Sequence, residues 1–173
     1  SGKLPVGRSK TADADAAAVV IPENEDPVSK RKRHRAKAVE ELLNTEHAYV
    51  DDLKLVISRF KEPLNDKGIL DQEQDAELFI NLEALVALNT EFLNLLQAGK
   101  IKEAFERFPE FYSEYSKYCL LQTKQLNLVK LLGKKDQKFK KFLDEAKKDP
   151  VCRQLDLSTL LTKPFLRICK YPL

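Results

Sequence analysis

The chain has 173 residues, which is room for one domain and a tail but not for two large domains. Its 43% hydrophobic and 33% charged residues, with five glycines and no Trp, describe a helix-leaning globular chain, not a collagen or a small barrel of strands. Thirty Lys and Arg against 27 Asp and Glu leave a net charge of +3, too weak to argue nucleic-acid binding for the chain as a whole.

Residues 1–29 hold two of the five glycines, three of the eight prolines and no aromatic residue, and they show no apolar period. Such a stretch cannot offset the entropy of ordering, so a flexible tail is expected there. The apolar run Ala16 to Ile21 is too short, and too acidic in front, for a signal peptide, and no membrane span is expected anywhere. Six Lys or Arg then fall between Lys30 and Lys37, leaving the remainder near neutral. This run reads as a solvated helix start, an import signal, an anionic-lipid contact or a nucleic-acid arm. It has no interleaved aromatic to stack on bases, so nucleic acid is not expected as a partner.

Val39, Leu42, Leu43, Val50, Leu53, Ile57 and Phe60 repeat at three and four residues, predicting a first long helix that Pro63 stops. Asp71 with Gln74 three residues on is a capping-box start for a second helix, whose stripe runs Leu78, Leu82, Leu85, Phe92 and Leu96 up to Gly99. A short piece, Ile101 to Phe108, precedes Pro109 at the head of a third long helix through Tyr112, Tyr115, Cys119, Leu126 and Val129 to Gly133. Asp136 opens another helix, ended by Pro150, and Asp156 caps a last one with Leu157, Leu160, Leu161, Phe165 and Ile168 on its inner side. The fold class is all-α, an elongated antiparallel helical bundle.

No two glycines bracket a Lys-Ser or Lys-Thr pair, so no phosphate loop can form, and neither His34 nor His47 has the neighbours of a metal site or nucleophilic triad. Cys119, Cys152 and Cys169 suit neither a disulfide framework nor a zinc quartet, fit a reducing compartment, and read as buried small hydrophobes. Function is therefore expected from surfaces. Glu46 lies four residues after Leu42 and four before Val50, on or beside the apolar stripe, where it is either paired internally with a basic residue or set at the rim of a groove as a recognition group. In the last helix Thr159, Thr162, Leu166 and Lys170 form a second, mixed face compatible with a partner surface.

Two stretches together resemble a known family. Ala38 to Leu53, AVEELLNTEHAYVDDL, is similar to the first conserved region of Dbl-homology domains, the exchange modules of Rho-family GTPases; Leu157 to Leu173, LSTLLTKPFLRICKYPL, is similar to their third. The resemblance spans residues 35–173 and sets 1–34 apart as tail and basic junction. It implies a guanine nucleotide exchange factor for a Rho- or Rac-family small GTPase that binds both switch regions and stabilises the nucleotide-free state. No bond chemistry, cofactor or metal is then needed from this chain, because magnesium and guanine nucleotide belong to the GTPase. By position Glu46 matches the family's first-switch glutamate and Lys170 its second-switch lysine, while Thr159 and Thr162 fall at specificity contacts. Leu166 stands where the family has a glutamine.

The family's last conserved helix continues past Tyr-Pro-Leu, so the chain reads as a fragment that could self-associate. The resemblance further implies a cytoplasmic protein, with the basic run a candidate for contact with the inner membrane surface. The alternative is an exchange-inactive helical scaffold that keeps the bundle. Replacing Glu46 with alanine is expected to abolish exchange and leave stability nearly unchanged.

Overall fold

In the computed structural model, which describes residues 26–171, all the regular structure is helical. The chain divides into two units, residues 1–37 and 38–173. The flexible tail expected over 1–25 lies outside the described residues. Helix α1 (Pro27–Val56) starts ahead of its apolar stripe, so the basic run is helical and not part of a tail. Its first turn is set by Asp26, whose Oδ1 accepts the Val28 and Ser29 N–H groups at 2.9 and 3.1 Å, with Pro27 supplying a helical φ at the first position.

Pro63 does not stop the first helical run. The chain passes from α1 into a π turn, Ile57–Lys61, and on into α2 (Glu62–Asp66), where Pro63 occupies the first turn. The Glu62 N–H reaches back five residues to the Ile57 carbonyl. That wider turn relieves the clash a proline ring would make with the carbonyl four residues before it. The run ends instead at Gly68, which adopts a φ of 58°.

The capping box at Asp71 forms in both directions: its side chain accepts the Gln74 N–H at 2.8 Å, and Gln74 Oε1 accepts the Asp71 N–H at 3.0 Å. The second stripe, expected as one helix, is two: α3 (Gln72–Phe79) and α4 (Leu82–Gln97) are separated by Ile80 at φ 47° and ψ −121°. Contacts from a distant helix hold this break open. Gln125 Nε2 donates to the Leu78 carbonyl at 2.7 Å, and Asn81 Nδ2 donates to the carbonyl and carboxylate of Glu114 at 3.0 and 2.7 Å. Residues 72–97 are the one stretch among those described with the length and apolar composition of a membrane span, contrary to the sequence expectation of none. The break interrupts that stretch, and Leu78, Leu82, Leu85, Phe92 and Leu96 are buried in the protein core.

Helix α5 (Ile101–Glu106) leads to α6 (Phe108–Lys135), with Pro109 in its first turn as expected; Gly133 lies inside α6 rather than ending it. The buried side of α6 is Phe111, Tyr115, Tyr118, Gln125, Val129 and Leu132, so Tyr112, placed on the inner stripe by the sequence reading, is exposed and Cys119 half-buried. Asp136 accepts the Lys138 and Phe139 N–H groups at the start of α7 (Gln137–Ala146), which ends four residues before Pro150. A single 3₁₀ turn, Pro150–Cys152, precedes α8 (Leu157–Ile168), capped by Asp156 through the Thr159 N–H at 2.7 Å.

Helix α6 runs antiparallel to both α4 and α8. Against α4, Tyr115 meets Asn89 while Phe111 meets Phe92; against α8, Tyr118 Oη donates to the Leu161 carbonyl at 2.8 Å while Phe111 stands 5.7 Å from Tyr171. Around Phe92 the rings of Phe105, Phe108, Phe111 and Tyr171 pack edge-on at 5.1 to 6.1 Å. The all-α bundle is as the sequence predicts.

Candidate functional site

The two stretches that carry the family resemblance lie more than 100 residues apart in sequence and meet as α1 and α8. Each helix brings a charged side chain onto its buried stripe. Glu46 is fully buried, with 0% exposure, and Arg167 is 8% exposed. Arg167 Nε and Nη2 both donate to Glu46 Oε2, at 3.0 and 2.5 Å, and the Tyr171 hydroxyl lies 2.8 Å from the same oxygen. In the free chain Glu46 is held in an internal pair and has no exposed surface. Its other oxygen, Oε1, is buried with no hydrogen-bond partner.

Behind this pair lies a polar network among aromatic walls. Tyr115 Oη donates to Asn89 Oδ1 at 3.0 Å, the Tyr49 and Tyr115 hydroxyls are 2.9 Å apart, and Asn89 Nδ2 donates to the Leu85 carbonyl at 2.7 Å. Since Tyr115 gives its proton to Asn89, Tyr49 must be the donor to Tyr115. The Tyr171 hydroxyl is also 3.0 Å from Asn89 Oδ1 but carries one proton, which serves Glu46 or Asn89 at any moment. The Arg167 guanidinium stacks 4.9 Å from the Tyr171 ring centre and 5.8 Å from that of Tyr49.

Burial pushes the Glu46 carboxyl above its ordinary range, and the Arg167 charge and the bonds from Tyr171 and Arg167 recover only part of that shift. For Arg167 burial opposes the charge, but Glu46 and Tyr171 outweigh it and hold the guanidinium above its usual range. Burial, reinforced by Tyr115 and Glu46, keeps the Tyr171 hydroxyl firmly protonated and therefore a donor.

Nearly two turns further along α1, Asp52 is 5% exposed and pairs through one oxygen with Arg153 and through the other with Lys163. A cleft of about 300 Å³ between α1 and α8 is lined by Thr45, Ala48, Lys163, Leu166, Arg167 and Lys170, among others. It brings Leu166 and Lys170, both exposed, against α1. Thr159 is exposed about two turns back along α8 from Leu166. Thr162 is half-buried, and its hydroxyl donates to the Ser158 carbonyl at 2.8 Å. Leu166, 52% exposed, adjoins Phe165, which the sequence reading assigned to the core and which is exposed instead. Pro164 and Arg167 take the inner positions beside Leu157, Leu160 and Leu161. Of the cysteines only Cys152 is buried, while Cys169 is exposed.

Arg167, Tyr171 and Asp52 were not singled out from the sequence. The signal was present in part, because Arg167 follows the buried Pro164 by three residues and so continues the inner stripe of α8. Among the described residues no group of three or more His, Cys, Asp and Glu side chains is arranged to hold a metal ion.

The first and last long helices of this bundle are joined through buried charged side chains. Residues 38–173 match the RhoGEF domain model, and the chain belongs to that family, the Dbl-homology domains. It is 34% identical over 152 residues to the Myosin-M heavy chain of Dictyostelium discoideum, covering 83% of this chain and 9% of the relative. It is 32% identical over 161 residues to mouse Intersectin-2, covering 86% and 10% respectively. The chain thus spans about a tenth of the curated relatives it matches. Among solved structures it is similar to the linker-DH/PH domains of p115-RhoGEF, with a TM-score of 0.78 and 28% identity over 83% of this chain and 48% of that one. It is also similar to the PDZ-RhoGEF DH/PH domains in their complex with GTP-γ-S-activated RhoA, with a TM-score of 0.76 and 25% identity over 84% and 45%.

Proposed function

We propose that this chain accelerates release of guanine nucleotide from a Rho- or Rac-family small GTPase by binding its switch regions and favouring the nucleotide-free state. The observation that carries this reading is the meeting of the two family-like stretches at one place, where α1 and α8 form the cleft that holds Leu166 and Lys170. The likeness to DH/PH domains solved with RhoA supports it. No bond needs to be made or broken. A protein that binds the empty GTPase more tightly than the loaded one must, by reciprocity, weaken nucleotide affinity by the same factor.

In this reading Lys170 holds the second switch, and Glu46, buried in the free chain, engages the first only once its internal pair with Arg167 opens. Thr159, Thr162 and Leu166 tune the choice of GTPase, with Leu166 offering an apolar contact where the family has a polar one. Magnesium and nucleotide come with the GTPase. The protein acts in the cytoplasm, with the basic residues 30–37 as a candidate contact to the inner membrane surface.

The full burial of Glu46 favours a second reading, a helical scaffold that binds a GTPase without driving exchange. Fluorescent nucleotide loaded on a panel of Rho-family GTPases separates the two. Faster release on adding the chain supports exchange; complex formation without faster release supports the scaffold.

A further inference from the structure

The near-neutral remainder of the chain conceals a second basic stretch. Residues 130–141, KLLGKKDQKFKK, hold six lysines and one carboxylate. Lys130, Lys134 and Lys135 lie on the last two turns of α6, Lys138, Lys140 and Lys141 on the first two turns of α7, and all six are exposed. The carboxylate is Asp136, which is engaged by the N–H groups it caps. No Asp or Glu occurs between Glu114 and Asp136. Among the described residues Lys141 alone of the six has a carboxylate within 4.0 Å, that of Glu145.

Folding does not account for this arrangement. Lys134 and Lys135 suit the negative end of the α6 dipole, but Lys138 and Lys140 stand in the first turn of α7, where the dipole disfavours a cation. Like charges crowded at one corner repel one another unless anions gather there. An apolar element lies among them: Leu131 is 46% exposed and, with Leu128, Leu132, Lys135 and Lys138, lines a hollow of about 640 Å³. The chemistry of the patch narrows the partner. It has no arginine, the side chain whose planar fork reads single carboxylates or phosphates, whereas lysine ammoniums are point charges suited to a diffuse anionic surface. Phe139 and Phe142, the only rings of α7, are buried and offer no face to a stacked base.

We propose that the α6–α7 corner is a docking surface for an anionic phospholipid membrane, with its lysines toward the headgroups and Leu131 entering the interface. Lysine stems lie along apolar surface while their ammonium groups stay in water, and a basic face that carries an exposed leucine is the pattern of helices that rest on a bilayer. The corner starts twelve residues beyond Tyr118, where α6 meets Leu161 of α8, a span of about 18 Å along the helix. It shares no residue with the α1–α8 cleft, and the inference does not rest on the exchange reading.

The test is co-sedimentation of the full chain with vesicles of phosphatidylcholine alone and of equimolar phosphatidylcholine and phosphatidylserine. The basic run is first removed as a rival, so the parent chain carries Arg31→Gln, Lys32→Gln, Arg33→Gln and Arg35→Gln. This parent is expected to bind the phosphatidylserine vesicles and not the neutral ones, less tightly as salt is added. Adding Lys134→Gln, Lys135→Gln, Lys138→Gln and Lys141→Gln should lower that binding at least about tenfold, since each lysine near an anionic surface contributes several-fold. The four positions are exposed, and circular dichroism checks that the helices are intact. Leu131→Gln, which keeps every charge, should weaken binding by about threefold or more, because it removes the inserted apolar group. A parent chain that leaves phosphatidylserine vesicles unbound overturns the proposal, as does a lysine variant that binds them as tightly as its parent. Binding of soluble polyglutamate with no uptake on vesicles assigns the patch to an acidic protein and overturns it equally.

Discussion

At the scale of single residues, the Glu46–Arg167 pair decides what substitution there costs. A buried charge that loses its partner is left uncompensated, and breaking such a pair typically costs about 3–5 kcal/mol. Glu46→Ala should therefore lower the melting temperature clearly, against the sequence expectation that an alanine in a helix leaves stability nearly unchanged. The helix-propensity gain of alanine, at most about 0.7 kcal/mol, is too small to compensate. Thermal denaturation followed by circular dichroism measures this, and loss of exchange in that variant is interpretable only alongside it. The sign of the pH dependence also follows. The folded-state pKa of Glu46 lies above its ordinary value of 4.5, so its favourable contribution is full below that value and is lost as pH rises through the raised one. Chemical denaturation from pH 4 upward should show wild type losing stability relative to Glu46→Gln across that window and holding a constant difference above it.

At the scale of elements, local signals and distant ones behave differently. Asp71, Asp136 and Asp156 cap α3, α7 and α8 as their sequence positions predict, because a cap needs only its own next three residues. Asp71→Ala should cost about 1 kcal/mol, read from denaturant midpoints. The break at Ile80 was not legible, since the donor that satisfies the Leu78 carbonyl is Gln125, 47 residues away. Gln125→Leu keeps the bulk but leaves that carbonyl and the Tyr118 hydroxyl without their shared donor, and should cost about 1–3 kcal/mol. Pro63 likewise read as a stop because the π turn that accommodates it is not visible in a three-and-four pattern. The site followed the same division. The mixed face of α8 was legible from spacing, whereas the partner of Glu46 lies 121 residues away and became visible only once α1 and α8 were seen to pack.

At the scale of the whole molecule, charge and function separate along the chain. Arg31, Lys32, Arg33 and Arg35 belong to the unit of residues 1–37, and the cleft between α1 and α8 belongs to residues 38–173. Neutralising the four should leave exchange on a soluble GTPase unchanged within about twofold, because a screened charge steers encounter more than it changes the bound state. A rate that falls, with the loss varying as salt is added, would show that the run steers the partner. Whether residues 38–173 form a working exchange module is measured by release of a fluorescent guanine nucleotide from a panel of Rho-family GTPases with excess unlabelled nucleotide present. The wild-type chain is expected to accelerate release from at least one member, in proportion to its concentration. Release at the intrinsic rate from every member, by a chain shown to be folded, would contradict it.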